Sequence, residues 1–145
     1  MRTVDVGSRL PQMSPADNEK ELAPRAILIV DDEPSIGFLL TEMLQSTGHP
    51  ILTAGSVSEA LTHLKSRPIA VLIVDVQLAG TDGIAFLQQA LEVDSRLLSI
   101  VMTGHGNIEL AVRAMKSGAA DFLTKPFEVE LVRQSVSRLL ELYRL

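Results

Sequence analysis

Residues 27–35 read ILIVDDEPS, four branched apolar side chains followed at once by three acids and a proline. A run of branched apolar residues is typical of a strand buried in a core, where a carboxylate is costly. Adjacent carboxylates also repel one another. The stretch therefore raises the question of why a buried strand should end in Asp31, Asp32 and Glu33.

The composition is that of a globular protein and excludes several classes of function. The chain has 145 residues, 46% of them hydrophobic and 21% charged, which suits one domain with a substantial core. The net charge of −5 does not favour direct binding to nucleic acid. The absence of cysteine excludes disulfides, thiolate catalysis and cysteine-ligated zinc. No apolar run is long enough to span a bilayer and no signal peptide pattern is present, so we expect a cytoplasmic protein without membrane contact.

The first 24 residues differ from the rest of the chain. They contain three prolines, mixed charges and no sustained hydrophobic period, so we expect a mobile N-terminal tail over residues 1–24. The regular pattern that follows predicts a single folded domain over residues 25–145. Within it, five apolar runs are predicted to be strands: 26–30, 51–54, 69–75, 97–103 and 120–124.

Each predicted strand is followed by a segment in which apolar residues recur at helical spacing. Residues with capping chemistry precede three of these segments: Asp82, Asn107, and Ser56 with Glu59 as a capping box. Gly48 is predicted to end the first helix. Because strands that alternate with helices pair in parallel through right-handed crossovers, the pattern predicts an α/β fold with a sheet covered on both faces.

Polar residues end or follow four of the predicted strands: Asp31 and Asp32, Asp75, Thr103, and Lys125. Ligands bind beyond the carboxyl ends of the strands in an open α/β sheet, so we expect these side chains to converge. Three carboxylates in one place require positive charge, of which Lys125 supplies one unit. Mg²⁺, which prefers carboxylate oxygens, would supply more. The acids at the strand tips are therefore predicted to hold Mg²⁺.

Such a cluster is suited to phosphoryl chemistry. A divalent cation and an ammonium group neutralise the oxygens of a phosphoryl group in transfer, and the Thr103 hydroxyl can hydrogen-bond to one of them. No Ser–His or Cys–His pair is apparent in the sequence, so a carboxylate is the expected nucleophile. Asp75, at the end of the central strand, is the best placed.

Four segments of the sequence resemble the receiver domain of bacterial two-component response regulators. They are VDDEP at 30–34, VDVQLAGTDG at 74–83, MTGHG at 102–106 and FLTKPF at 122–127. The resemblance extends over about residues 26–143. It implies a flavodoxin-like (βα)5 doubly wound parallel sheet with strand order 2-1-3-4-5, and a signalling domain that is not an enzyme acting on other substrates.

The resemblance implies roles in phosphorylation and in switching. Asp75 corresponds to the phosphoacceptor, which takes a phosphoryl group from a sensor histidine kinase or phosphotransfer protein. Lys125 corresponds to the lysine that pairs with the phosphoryl group. Thr103 and Phe122 correspond to the switch residues that alter the surface of helix 4, strand 5 and helix 5. That surface would control an output domain or partner, or a phosphorylation-dependent homodimer.

The resemblance also implies a set of metal ligands. Asp32, Asp75 and the backbone carbonyl of Gln77 correspond to direct ligands of Mg²⁺. Asp31 corresponds to an acid that holds the metal largely through water.

The sequence departs from the family pattern at two places. Leu78 and Ala79 stand where receivers usually have Met-Pro, and we expect a less rigid loop because alanine lacks the fixed φ of proline. Phe122 stands where many receivers have tyrosine, so this side chain has no hydroxyl to offer a partner.

Other interpretations of the same residues remain open at this point. Residues 31–33 could form a solvated loop and helix cap. A phosphatase that uses an aspartyl-phosphate intermediate would need a second Asp where Gln77 stands. A flavodoxin-like cofactor binder would need a phosphate-cradling loop where DDEPS would repel phosphate. A receiver that has lost phosphate acceptance is disfavoured, since the key residues are all present.

Overall fold

A computed structural model of the protein describes residues 25–78, 80–104 and 107–144. Within these ranges, five strands alternate with five α-helices, and a short 3-10 helix follows the first of them. The strands are β1 (Ala26–Val30), β2 (Ile51–Ala54), β3 (Ile69–Asp75), β4 (Leu98–Thr103) and β5 (Asp121–Thr124). The helices are α1 (Pro34–Leu44), α2 (Val57–Ser66), α3 (Gly83–Val93), α4 (Ile108–Lys116) and α5 (Val129–Arg144). The tail predicted over 1–24 and Ala79 of the loop predicted to be less rigid lie outside the described residues.

The five strands form one parallel sheet in the order β2-β1-β3-β4-β5, which confirms the predicted fold. β1 and β3 are neighbours at the point where the strand order reverses, and ligands of open α/β sheets bind at such a point. Val30 of β1 is paired with Val74 of β3. The next residues along the chain, Asp31 and Asp75, therefore lie side by side at the carboxyl edge.

Helices cover both faces of this sheet. α2, α3 and α4 contribute to the apolar cluster on one face, and α1 and α5 to the cluster on the other. β1 and β3 supply fully buried side chains to both clusters: Ile27, Leu28, Ile29, Val30, Val71, Leu72, Ile73 and Val74. β1 and β3 lack polar alternation because neither face of the sheet meets water. None of the helices in the described ranges has the length and apolar character that crossing a bilayer requires.

Three helices begin at the predicted caps. The hydroxyl of Ser56 and the side-chain oxygens of Asp82 and Asn107 each accept a hydrogen bond from a backbone N–H of the first helical turn. The capping box differs from the prediction, because the Glu59 carboxylate accepts from the Gly55 N–H at 2.8 Å rather than from the N–H of Ser56. This bond ties the turn after β2 to the start of α2.

The end of the first helix also differs from the prediction. α1 ends at Leu44, and a 3-10 helix over Gln45–Thr47 continues the chain to Gly48. Gly48 has a φ of 78°, in the left-handed region that glycine adopts without strain, and its N–H donates to the Gln45 carbonyl. The glycine therefore ends the 3-10 extension rather than the α-helix itself.

Candidate functional site

Three carboxylates meet at the carboxyl edge of the sheet. One carboxylate oxygen from each of Asp31, Asp32 and Asp75 lies within 4.8 Å of the other two. The side chains of Asp31 and Asp75 are buried, with exposures of 0% and 9%, whereas Asp32 is exposed. The adjacency of β1 and β3 brings the three acids together, as the sequence predicts.

Lys125 supplies a positive charge to this cluster. Its Nζ donates to Oδ2 of Asp31 at 2.9 Å and to Oδ2 of Asp75 at 3.0 Å. The N–H of Lys125 donates to the Thr103 carbonyl at 2.9 Å, which continues the pairing of β5 with β4 by one residue. The end of β5 thus sets the position from which the lysine reaches across β4 to the acids.

The second oxygen of each buried carboxylate is bound by the backbone. Oδ1 of Asp75 accepts from the Gln77 N–H at 2.8 Å, and Oδ1 of Asp31 accepts from the Glu33 N–H at 2.9 Å. Both bonds join an aspartate to the N–H two residues later, a local turn typical of this side chain. Asp31 and Asp75 therefore have the same arrangement, with one oxygen on the main chain and one on Lys125.

The electrostatics of the cluster favour additional positive charge. Burial raises the pKa of Asp31, and the nearby Asp75 charge acts in the same direction, against the bonds from Glu33 and Lys125. Burial alone would lower the pKa of Lys125, but its hydrogen bonds to Asp31 and Asp75 and their charges outweigh burial and raise it. Since one ammonium faces several acids, a second cation would stabilise the ionised carboxylates.

Oxygen is the only kind of donor that these acids offer, and oxygen is what Mg²⁺ prefers. The Gln77 carbonyl, predicted to be a ligand, accepts no backbone hydrogen bond from the described residues. The Gln77 side chain lies near the loop after β4, because a Cβ added to Gly104 would be 3.6 Å from its Oε1. The residues present thus fit a site for a hard divalent cation at the edge of the sheet.

Thr103 is the predicted tip residue whose side chain makes no hydrogen bond to the cluster within the described residues. It is fully buried, and its hydroxyl has no hydrogen-bond partner among the described residues. An unpaired buried hydroxyl is uncommon and costs free energy. The hydroxyl at the end of β4 can therefore donate to an acceptor bound at the edge of the sheet.

Phe122 lies on the edge strand β5 and is 41% exposed. Other large apolar side chains are exposed on the two helices next to this strand. We define the β5 apolar face as these residues together: Ile108, Val112 and Met115 of α4, Phe122 of β5, and Leu131 of α5. A group of exposed apolar residues is typical of a surface that binds a partner.

Gly83 supports the site in a way that sequence reasoning missed. Its N–H donates to the Val76 carbonyl at 3.1 Å, which holds the start of α3 against the end of β3. A Cβ added to Gly83 would lie 2.4 Å from Cα of Val76 and 2.5 Å from the carbonyl oxygen of Asp75. Only glycine permits this approach. The glycine that directly follows the cap residue Asp82 is the signal for it in the sequence, but the pattern there predicts only the cap.

Comparison with known proteins agrees with this geometry. The family model described as "Response regulator receiver domain" matches residues 27–137. The chain belongs to the response regulator receiver domain family. As a receiver domain, it is 38% identical over 124 residues to the C4-dicarboxylate transport transcriptional regulatory protein DctD of Pseudomonas aeruginosa. It is 37% identical over 121 residues to the nitrogen assimilation regulatory protein NtrX of Azorhizobium caulinodans.

These alignments cover most of this receiver domain but a small part of each relative. They include 85% and 82% of this chain, and 27% of the length of each relative. A solved structure, the receiver domain of NtrX from Brucella abortus, superposes with a TM-score of 0.76 at 37% identity. That comparison covers 79% of this chain and 98% of the other. The receiver family and its flavodoxin-like fold are thus established, and nothing in the comparisons favours the phosphatase alternative.

Proposed function

We propose that this receiver domain accepts one phosphoryl group on Asp75 in a reaction that depends on Mg²⁺. The observation that carries the proposal is the convergence of three carboxylates and Lys125 at the ends of β1, β3 and β5. Asp75 is the acid that ends the central strand β3. The neighbouring groups, two acids and one ammonium, are those needed to hold a cation and a phosphoryl group beside it.

In the proposed reaction, an oxygen of the Asp75 carboxylate forms a bond to phosphorus. The bond from phosphorus to a histidine nitrogen of the donor kinase or phosphotransfer protein breaks, and that nitrogen keeps the electron pair. Asp32, Asp75 and the Gln77 carbonyl would hold Mg²⁺, with Asp31 acting largely through water, and the bound cation would neutralise charge on the transferring oxygens. Lys125 remains beside Asp75 and pairs with the charge of the new phosphoryl group.

The same proposal assigns switch roles to Thr103 and Phe122. The Thr103 hydroxyl has no hydrogen-bond acceptor among the described residues. A phosphoryl group on Asp75 would supply acceptor oxygens for it. Movement of Thr103 toward that group leaves space into which the Phe122 ring can turn. The β5 apolar face then changes, and it binds an output domain, another partner or a second copy of the domain.

The setting of this function follows from its chemistry and its relatives. DctD and NtrX are regulatory proteins by name, and this chain aligns with 27% of each. We infer a cytoplasmic receiver that controls an output domain or partner, does not itself bind nucleic acid, and is not an enzyme toward other substrates. The net charge of −5 supports the absence of a direct nucleic-acid surface.

Intact-mass measurement after incubation with acetyl phosphate and Mg²⁺ tests the phosphoacceptor role. The wild-type protein should gain one phosphoryl group, and chelation of the metal should prevent the gain. Asp75→Asn should gain none, because an amide is not a comparable nucleophile. Asp94→Asn is the matched control, since Asp94 lies in the turn after α3 and should label like the wild type. Equal labelling of Asp75→Asn and the wild type would refute the assignment.

A further inference from the structure

Lys125 contacts a third carboxylate in addition to the two buried ones. Its Nζ lies 3.6 Å from Oε1 of Glu33, compared with 2.9 Å from Asp31 and 3.0 Å from Asp75. The Glu33 side chain is 63% exposed, so this is a looser ion pair at the rim of the cluster. One lysine thus has two close partners inside the site and one distant partner outside it.

The Glu33 side chain does not cap the helix that it precedes. Glu33 is the N-cap residue of α1, a position where a short polar side chain such as that of Asp or Ser commonly accepts a hydrogen bond from the first helical turn. Its side chain makes no such bond, and the next residue, Pro34, has no N–H to donate. Helix capping therefore does not account for the carboxylate, whose contact is with Lys125.

Lys125 and a divalent cation compete for the same carboxylates. Lys125 bonds to Asp31 and Asp75, and both belong to the acidic cluster that fits a divalent cation. Two cations in contact with the same carboxylates repel each other, so a bound metal would weaken the contacts of Lys125 with Asp31 and Asp75. The lysine side chain is only 21% exposed, so its charge then needs another acceptor.

We propose that Glu33 is a positioning residue, which receives the Lys125 ammonium when a divalent cation is bound by the three aspartates. This inference rests on the proposed function, since it concerns the same site. As an alternative partner, the Glu33 carboxylate lowers the free-energy cost of moving the Lys125 ammonium away from the aspartates. It also keeps the ammonium at the rim of the cluster, next to Asp75, where the phosphoryl group is to be attached.

The affinity of the unphosphorylated protein for Mg²⁺ tests this role without any measurement of phosphorylation. Glu33→Gln removes the charge but keeps the size of the side chain and the backbone bond to Asp31. We expect calorimetric titration to show about two- to fivefold weaker Mg²⁺ binding, the size typical of an exposed ion pair. The matched control is Glu59→Gln, because Glu59 lines the same groove as Glu33 and a glutamine oxygen can still accept from Gly55. It should change the affinity by less than about 1.5-fold, since salt screens more distant surface charges.

A double variant separates action through Lys125 from a simple effect of charge. In a Lys125→Met background, Glu33→Gln should weaken Mg²⁺ binding no more than Glu59→Gln does. A crystal structure with bound Mg²⁺ should show Nζ of Lys125 within hydrogen-bond distance of the Glu33 carboxylate. An undiminished effect of Glu33→Gln without the lysine, or a lysine that stays on Asp31 in the Mg²⁺ complex, would overturn the role.

The wild-type titration distinguishes failure of this inference from failure of the proposed function. If the wild-type protein binds no Mg²⁺, the proposed function and the role of Glu33 both fail. If it binds Mg²⁺ and the Glu33→Gln and Glu59→Gln variants bind it equally well, only the role of Glu33 is wrong.

Discussion

The acidic cluster and the β5 apolar face depart in opposite ways from the usual distribution of side chains. At the cluster, the charged side chains of Asp31 and Asp75 are buried, whereas on the β5 apolar face large apolar side chains such as Ile108 and Phe122 are exposed. The buried charges have fixed hydrogen bonds and a defined geometry. The exposed apolar side chains are covered by fewer neighbours, so we expect this face to change at a lower energetic cost.

A short path joins these two regions. Val101 of β4 is paired with Phe122, and Thr103 at the end of the same strand is paired with Thr124. The Lys125 N–H also bonds to the Thr103 carbonyl. Under the proposed function, we expect a change in charge at the cluster to reach the β5 apolar face through these two neighbouring strands. The cluster would then receive the signal and the β5 apolar face would transmit it.

The largest expected effect comes from disturbing the backbone contact that supports the acidic cluster. Gly83→Ala should lower the free energy of unfolding by about 3 kcal/mol and prevent labelling of Asp75, because the new Cβ would overlap backbone atoms of Asp75 and Val76. Urea unfolding and intact-mass measurement check the two effects. Gly55→Ala is the control, since its Cβ would meet no atom closer than 3.9 Å and its stability should change little. A Gly83→Ala protein as stable and as well labelled as the wild type would show that this close approach is not needed.

A smaller effect, of opposite sign, is expected at the buried acid. Asp31→Asn should raise the free energy of unfolding of the metal-free protein by about 1–2 kcal/mol, as changes that relieve a destabilised functional site commonly do. Lys125 keeps Asp75 as a partner at 3.0 Å in this variant. Asp32→Asn, at the exposed acid, should change the stability by less than about 0.5 kcal/mol. Asp31→Asn should thus have the larger effect on stability, but Asp32→Asn should have the larger effect on Mg²⁺ affinity. Asp32→Asn should lose more affinity because Asp32 is the proposed direct ligand.

The effect of Asp31 on stability has a defined pH dependence. The pKa of Asp31 in the folded protein lies above its ordinary value of 3.8 because the group is buried. The folded state therefore holds the Asp31 proton more tightly than the unfolded state does. Binding of this proton stabilises the fold fully below pH 3.8, and the stabilisation is lost as the pH rises through the pKa of the folded state. The advantage of Asp31→Asn over the wild type should be small in acid and complete at neutral pH. An advantage that is the same at every pH would mean that ionisation of Asp31 is not its cause.

Much of the acidic cluster can be predicted from the sequence. Each strand is a short apolar run, and the parallel order makes the carboxyl ends of neighbouring strands adjacent. Asp31, Asp75 and Lys125 could therefore be placed together, since each lies at a strand end. The contacts between them then follow from charge, because a lysine near two buried acids binds both.

The remaining features depend on distances that only the folded chain sets. The sequence does not show that Gly83 lies against the backbone of Val76, or that the Thr103 hydroxyl is buried without a partner among the described residues. Glu33 follows two other acids, so its sequence context fits a helix cap as well as a partner for Lys125. The exposure of Phe122 depends on the position of β5 at the edge of the sheet, where fewer neighbours cover a side chain.

The smallest expected change in stability concerns the link between the two regions. Thr103→Val should leave the free energy of unfolding unchanged or raise it by about 0.5 kcal/mol, because the hydroxyl that it removes is buried without a partner in the part of the chain that the structure describes. Ser99→Ala is a matched control. The Ser99 hydroxyl is also buried and has no hydrogen-bond partner among the described residues. It lies on the same face of β4 four residues earlier, away from the cluster.

The response to a phosphoryl mimic should separate these two variants, although their stabilities are similar. With beryllofluoride and Mg²⁺, amide NMR of the wild type and of Ser99→Ala should show shifts near Asp75 and also at Phe122 and α4. In Thr103→Val the shifts near Asp75 should persist and those at Phe122 should disappear, because valine has no hydroxyl to donate to the fluorines of the phosphoryl mimic. Light scattering under the same conditions shows whether the altered face binds a second copy of the domain. If the Phe122 shifts survive in Thr103→Val, the signal does not pass through the hydroxyl. If they occur in a protein that stays monomeric, the β5 apolar face serves a different partner.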